Sequence, residues 1–163
     1  MANWRNGFSM MEMAVVMAIV AILALMAVPG YTDRIVRDQI ASALPLTDIA
    51  KAPVALSWAT LQSFPADNAA AGLPPAEKIV NNFISSVAVQ AGAIHVTFGN
   101  SANGIIKGKT LSLRPAVVVD AAVVPVAWVC GDAPGPNQMT VKGENKTNIS
   151  ANYLPVSCRS AAL

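Results

Sequence analysis

The 163 residues suit one domain, or one domain with an appendage. The apolar share of 54% is high and the charged share of 12% is low for a globular chain. A net charge of +2 is too small to point to nucleic acid, and the apolar excess gathers near the N-terminus, which signals a membrane segment rather than a greasy core.

The first element is a long apolar run, from Met13 to Pro29, with Arg5 before it and Asp33, Arg34, Arg37 and Asp38 after it. As a helix it covers roughly 25 Å, and counting from Phe8 brings it to a full span of about 30 Å. An ordinary secretory signal peptide and a retained membrane helix compete for this pattern. The block is longer than a usual signal core, and no A-x-A site closes it. Positive charge ahead of it favours an N-terminus in the cytoplasm.

Glu12 stands at the threshold of this run. At the headgroup level its cost is small; deeper in the bilayer it needs a cation. Cleavage between Gly7 and Phe8 would create an α-amine four residues away, mostly protonated at neutral pH given a reference value of about 7.7–8.0. Buried together, such an amine and carboxylate offset much of each other's desolvation, and between staggered helices they would set register.

Beyond the run, Tyr31, Ile35, Val36, Ile40, Ala43 and Leu44 form a helical apolar stripe. Asp33 with Arg37, and Arg34 with Asp38, are i, i+4 pairs of opposite sign. From Leu61 the texture turns to loop, with a helical turn expected near Ala76 to Phe83. Val87 to Val89 and Ile94 to Phe98 flank Ala91-Gly92 and predict a hairpin. Ile94, Val96 and Phe98 alternate to one face, which places His95 and Thr97 on the other, so His95 reads as a surface residue. A third strand follows Lys109 with Leu111 and Leu113 inward. The stretch from Ala116 to Cys130 predicts a short edge segment, a turn, and a final strand presenting Val124, Val126, Trp128 and Cys130 on one face.

Cys130 and Cys158 are the two cysteines, and an even count in an exported domain suggests one disulfide. It would close a polar loop of about 29 residues, worth roughly 3–4 kcal/mol. A pair of metal-bound thiols is the weaker alternative, because one distant histidine does not complete a zinc set. Motifs for phosphate binding or hydrolysis are missing from the sequence, which argues against an enzyme, and no cofactor is expected. Lys107, Lys109, Arg114, Lys142, Lys146 and Arg159 read as scattered solvated charges before they read as a DNA-binding patch. The Asn145-Lys-Thr and Asn148-Ile-Ser matches to the glycosylation pattern carry little weight.

Gly7-Phe8-Ser9, two apolar residues, Glu12 and the long apolar run resemble the N-terminus of a type IV pilin precursor. Pro29, Tyr31 and Arg37 stand where that family carries the same residues. "AWVC" at Cys130 and "YLPVSCR" at Cys158 are similar to the type IVa pilins in particular. One departure is Ala21, where the family often has a glycine, which leaves Pro29 to supply the break in the helix.

The resemblance implies an α+β fold: a long N-terminal helix over residues 8–59, membrane-spanning at about 13–30, packed on a four-stranded antiparallel sheet, with a disulfide-closed C-terminal loop. Pro45 and Pro53 fall inside that helix and predict a kink or short interruption. Residues 1–7 would be a leader, removed by a prepilin peptidase that methylates the new amine of Phe8, and residues 60–163 the globular head. Phe8 and Glu12 would pair between neighbouring copies in a helical filament. The implied partners are other copies of the chain, the peptidase, the assembly platform, motor and secretin, the inner membrane, and a surface or DNA ligand. The implied locations are the inner membrane before assembly and the extracellular filament after it. The alternatives are a minor pilin, a type II secretion pseudopilin (a class that generally lacks this cysteine pair), and a membrane-anchored periplasmic binding module.

Overall fold

A computed structural model of the chain describes residues 7–160; the expected leader up to Asn6, with Arg5, and the side chain of Pro29 lie outside the described residues. The chain divides into two compact units, one ending at Ile35 and one beginning at Val36.

The first unit is helical. Helix α1, Met10–Ala43, starts directly after Ser9, and its helical assignment runs through Pro29. Ser9 acts as its N-cap: the hydroxyl accepts the Met11 N–H at 3.3 Å and the carbonyl accepts the Met13 N–H at 3.2 Å. Glu12 lies in the first turn, where a carboxylate complements the helix dipole. The side chains from Met10 to Met26 are exposed all round the helix. An 18-residue window reaches a mean hydropathy of 2.6, so the helix is long and apolar enough to cross a membrane.

The second unit opens with the last turns of α1. The expected interruption falls at Pro45, in a 3-10 turn over Leu44–Thr47. Helix α2, Asp48–Leu61, then resumes and carries Pro53 inside it. It stops at Gln62, whose left-handed φ of 51° lets its N–H reach the Trp58 carbonyl at 2.9 Å. The turn keeps the buried stripe in phase. Val36, Ile40, Ala43, Thr47, Ala50, Val54 and Trp58 are all buried, at steps of three or four. The stripe therefore begins at Val36; Tyr31 and Ile35, expected to belong to it, are exposed. Thr47 satisfies its hydroxyl locally, on the Leu44 carbonyl at 2.6 Å.

This stripe covers an antiparallel sheet of order β1-β2-β3-β4: β1 Ile84–Gln90, β2 Ala93–Phe98, β3 Thr110–Val117 and β4 Ala127–Cys130, with β5, Thr140–Val141, paired to β3. The β1–β2 hairpin turns at Ala91 and Gly92, both at positive φ, as a tight two-residue turn requires. A side chain at Gly92 would strike the Phe64 ring at 2.6 Å. Val87, Val89, Ile94, Val96, Phe98, Leu111 and Leu113 join the helical stripe in one core. The 3-10 turn Ala76–Lys78 occupies the loop where a helical turn was expected.

Two strand boundaries differ from expectation. Ala116 and Val117 belong to β3 rather than to a separate edge segment, and β4 starts only at Ala127, leaving Val124 and Val126 outside it. Pro125 lacks the donor that a longer β4 would need. Pro115 is tolerated within β3 because its missing N–H falls past the end of β2, whose pairing stops at Ile94 opposite Leu113.

The free edge of β1 is closed by one buried side chain. Asn68 donates Nδ2 to the carbonyls of Pro74 (2.9 Å) and Val87 (3.0 Å), and its Oδ1 accepts the Val89 N–H at 2.6 Å. It does for this edge what a further strand would do. Asn68→Ala strands two of β1's edge groups in the interior and is expected to cost about 1–3 kcal/mol, read as a lowered denaturation midpoint of the detergent-solubilised chain.

Candidate functional site

The chemistry singled out by the sequence sits at the two ends of the chain. At the N-terminal end, Gly7, Phe8 and Ser9 precede the first helical turn. The Gly7–Phe8 bond is therefore not wrapped in helical hydrogen bonds, and among the described residues nothing lies within 4 Å of where a side chain at Gly7 would project. Phe8 is 73% exposed and Glu12 is exposed as well. A bond cut here would leave an amine one residue ahead of the Ser9 cap, with Glu12 on the following turn.

At the C-terminal end, Cys130 and Cys158 form a disulfide across 28 positions of sequence, as the even cysteine count suggested. Cys158 is fully buried, and its carbonyl accepts the Asp132 N–H at 3.1 Å. Gly131 runs so close beneath that a Cβ there would come within 2.7 Å of the Cys158 carbonyl oxygen. The loop so closed is polar, and Ile149 and Leu154 are its buried apolar anchors. Main-chain bonds hold the rest. Arg37 donates Nε to the Asn152 carbonyl at 2.9 Å, and Arg159 donates to the carbonyls of Leu154 and Asn152. Arg37, read from sequence as half of an ion pair on a helix surface, thus ties the helix to this loop.

The same loop finishes the part of β3 that β4 is too short to cover. Thr110 donates its N–H to Asn148 Oδ1 (2.7 Å) and accepts the Asn148 N–H (3.1 Å), while Ser112 donates its N–H to Thr147 Oγ1 (3.0 Å). Asn145 donates Nδ2 to Asp132 at 2.7 Å. Both asparagines of the glycosylation matches therefore spend their side chains on holding the loop.

His95 is a correction. It is 5% exposed, with Nδ1 2.9 Å from Ser112 Oγ. Its position on the sheet's outer face was legible, but the chain from Lys142 to Asn148 crosses that face and buries it. Burial, then the nearby Lys146 ammonium, hold its pKa below the ordinary value, with Glu144 opposing weakly.

Among the described residues no group of three or more His, Cys, Asp or Glu gathers to hold a metal. Of the cations read as a possible basic patch, Arg114 and Arg159 are engaged by main-chain carbonyls, and Lys146 by Gln90 and Glu144.

An exposed apolar helix long enough to cross a membrane, joined to a domain closed by a C-terminal disulfide, fits a membrane-anchored protein with a folded head. Residues 36–159 match the pilin family of bacterial filament proteins, and residues 5–28 match the prokaryotic N-terminal methylation motif. The chain belongs to the pilin family, whose members are structural proteins rather than enzymes. It is 33% identical to a fimbrial protein of Neisseria meningitidis serogroup A over 99% of this chain and 98% of that protein. It is 32% identical to a type IV major pilin protein of Neisseria gonorrhoeae, over 99% and 91% of the two chains. A fimbrial protein of Eikenella corrodens is 35% identical, over 97% and 93%.

Cys158→Ser removes the closure of the polar loop. The head is expected to lose about 3–4 kcal/mol, read by chemical denaturation, and mass spectrometry of the intact protein under non-reducing denaturation should detect no free thiol before the substitution and one after it.

Proposed function

We propose that this protein is the major subunit of a type IV pilus. It enters the inner membrane as a precursor, is cut between Gly7 and Phe8 by a prepilin peptidase, is methylated on the Phe8 amine, and polymerises through its N-terminal helix into a surface filament. Its relatives in Neisseria gonorrhoeae named as type IV major pilins favour the major over a minor subunit. The Cys130–Cys158 disulfide favours a pilin over a secretion pseudopilin. In this reading residues 1–7 are the leader, residues 8–59 the assembly helix and residues 60–163 the head. Pro29 is where the helix loosens in the filament. The assembly platform, motor and secretin handle the subunit in transit.

The observation that carries this reading is Glu12. It is the only Asp, Glu, Lys, Arg or His between Arg5 and Asp33, and it stands in the first turn of a helix whose side chains from Met10 to Met26 are exposed on every side. Such a surface needs lipid or other helices around it. In lipid, Glu12 lies near the headgroups. In a bundle of helices it meets the Phe8 amine of a neighbour, and methylation leaves that amine its charge. The match is steric and electrostatic at once, because an out-of-register helix would bury both charges unpaired.

Two measurements test it. The mature chain should begin with N-methyl-Phe8; a mature terminus at Tyr31 would show instead an ordinary signal peptide cut after the apolar run. Glu12→Val should leave cleavage and membrane insertion intact and sharply reduce sheared filament relative to the membrane pool. Breaking such a pair costs about 3–5 kcal/mol where it is well buried, and the loss recurs at every subunit added. Wild-type filament yield from Glu12→Val would refute the pairing.

A further inference from the structure

His95 lies under a strap. The segment Gly143–Thr147 crosses the outer face of the sheet at backbone distance: a Cβ at Gly143 would come within 2.7 Å of the Ala93 Cβ. Beneath it, one hydroxyl joins the strap to the histidine. Ser112 Oγ accepts the Lys146 N–H at 2.8 Å and lies 2.9 Å from His95 Nδ1. The other ring nitrogen, Nε2, is closed off from water and has no hydrogen-bond partner among the described residues.

Counting hydrogens shows what a proton would do here. Ser112 Oγ accepts from Lys146, and it pairs with the neutral ring in either tautomer, donating to Nδ1 when the ring hydrogen is on Nε2 and accepting when it is on Nδ1. Protonation leaves hydrogens on both nitrogens, so Nδ1 can only donate and a serine hydrogen aimed at the ring loses its acceptor. Whichever tautomer it came from, the imidazolium also holds an N–H at Nε2, facing a site with no acceptor among the described residues. The facing charges do not relieve this. From the strap come Lys146, whose ammonium is held by Gln90, and Glu144, whose carboxylate is 74% exposed and 3.6 Å from that same ammonium. From β3 comes Arg114, a further cation, turned to the Gly131 carbonyl. The neighbouring positions of β1 and β2 on this face, Ala88, Gln90, Ala93 and Thr97, are not ionisable.

The geometry points to an acid-released latch: protonation of His95 lifts Gly143–Thr147 off the sheet, while both ends of the strap stay held. One end is held by the pairing of β5 with Ala116 and Val117, the other by buried Ile149 and, further on, the Cys130–Cys158 disulfide. Opening is therefore local and reversible. It hydrates the ring and exposes the centre of the outer face. The lowered histidine pKa sets the direction. The open state binds the proton more readily than the closed one, so closure is at full strength above about pH 6.5, the ordinary histidine value, and is lost as pH falls toward the depressed value in the closed state. The latch acts within one head and does not depend on filament assembly.

The test is amide hydrogen exchange on the full chain in detergent, corrected for the intrinsic pH dependence of exchange. Between about pH 7.5 and about pH 5, protection of the Ser112 and Lys146 amides should fall, because the open state binds the proton more readily than the closed one. Protection in the β1–β2 hairpin should hold. His95→Gln should remove the pH dependence. Should that variant fail to fold, Lys146→Gln, a change at a half-exposed side chain, should move the transition to higher pH by removing a facing cation. Undiminished wild-type protection at the lower pH, the same fall in His95→Gln, or an unmoved transition in Lys146→Gln would each overturn the latch.

Discussion

The head depends on one stripe of side chains. Val36, Ile40, Ala43, Thr47, Ala50, Val54 and Trp58 must stay on a single line across two helices and the turn between them, because that line is the helices' buried face in the core they share with the sheet. Each large apolar member contributes roughly 1.5–3 kcal/mol by burial. That sum is the main force holding β1 to β3 against the helix. Pro45 threatens the line, since it cannot donate into an α-helix. The 3-10 turn absorbs it while turning Thr47 inward, and Thr47 is small enough and locally satisfied enough to be buried there.

Once the inner face is covered, the remaining problem is polar. A short sheet has many unpaired edge groups, and this chain answers with amide and hydroxyl side chains instead of extra strands. Asn68 closes β1. Asn148 and Thr147 close the end of β3 that β4 does not reach. The C-terminal loop can do this only because it is held at few but firm points: a disulfide, Ile149, Leu154 and the arginine contacts to its carbonyls. Loops of such composition cannot hold themselves down by burial. The staple and the edge closure are two halves of one solution.

The two units have opposite relations to their surroundings. The head gathers a core of buried apolar side chains, with Leu56, Leu61, Val123 and Val156 among those left exposed. From Met10 to Met26 the N-terminal helix buries none of its side chains against the described residues: Met10, Met11, Met17, Leu25 and Met26 are each more than half exposed. A surface rich in unbranched methionine adapts to lipid and to neighbouring helices alike.

Local pattern alone determined much of this protein. The apolar run, the Gly7–Phe8 and Glu12 motif, the interruption at a proline, the β1–β2 hairpin and the inward faces of Ile94, Val96, Phe98, Leu111 and Leu113 all rest on periodicities of two or three to four residues, or on single residues with strong backbone rules. The pairing of Cys130 with Cys158 needed only a count. What stayed hidden depends on contacts between distant segments. Asn68 sits in a loop and reads as a turn residue; its role exists only because Val87 and Val89 lie beside it. The strand boundaries around Pro115 and Pro125 follow from which neighbour is still present at each step of β3. His95 was placed on the correct face and given the wrong environment, because alternation reveals which way a side chain points but not what part of the chain comes to lie over it. Only the tertiary structure brought Ser112 and Lys146, 17 and 51 positions away in sequence, onto that ring.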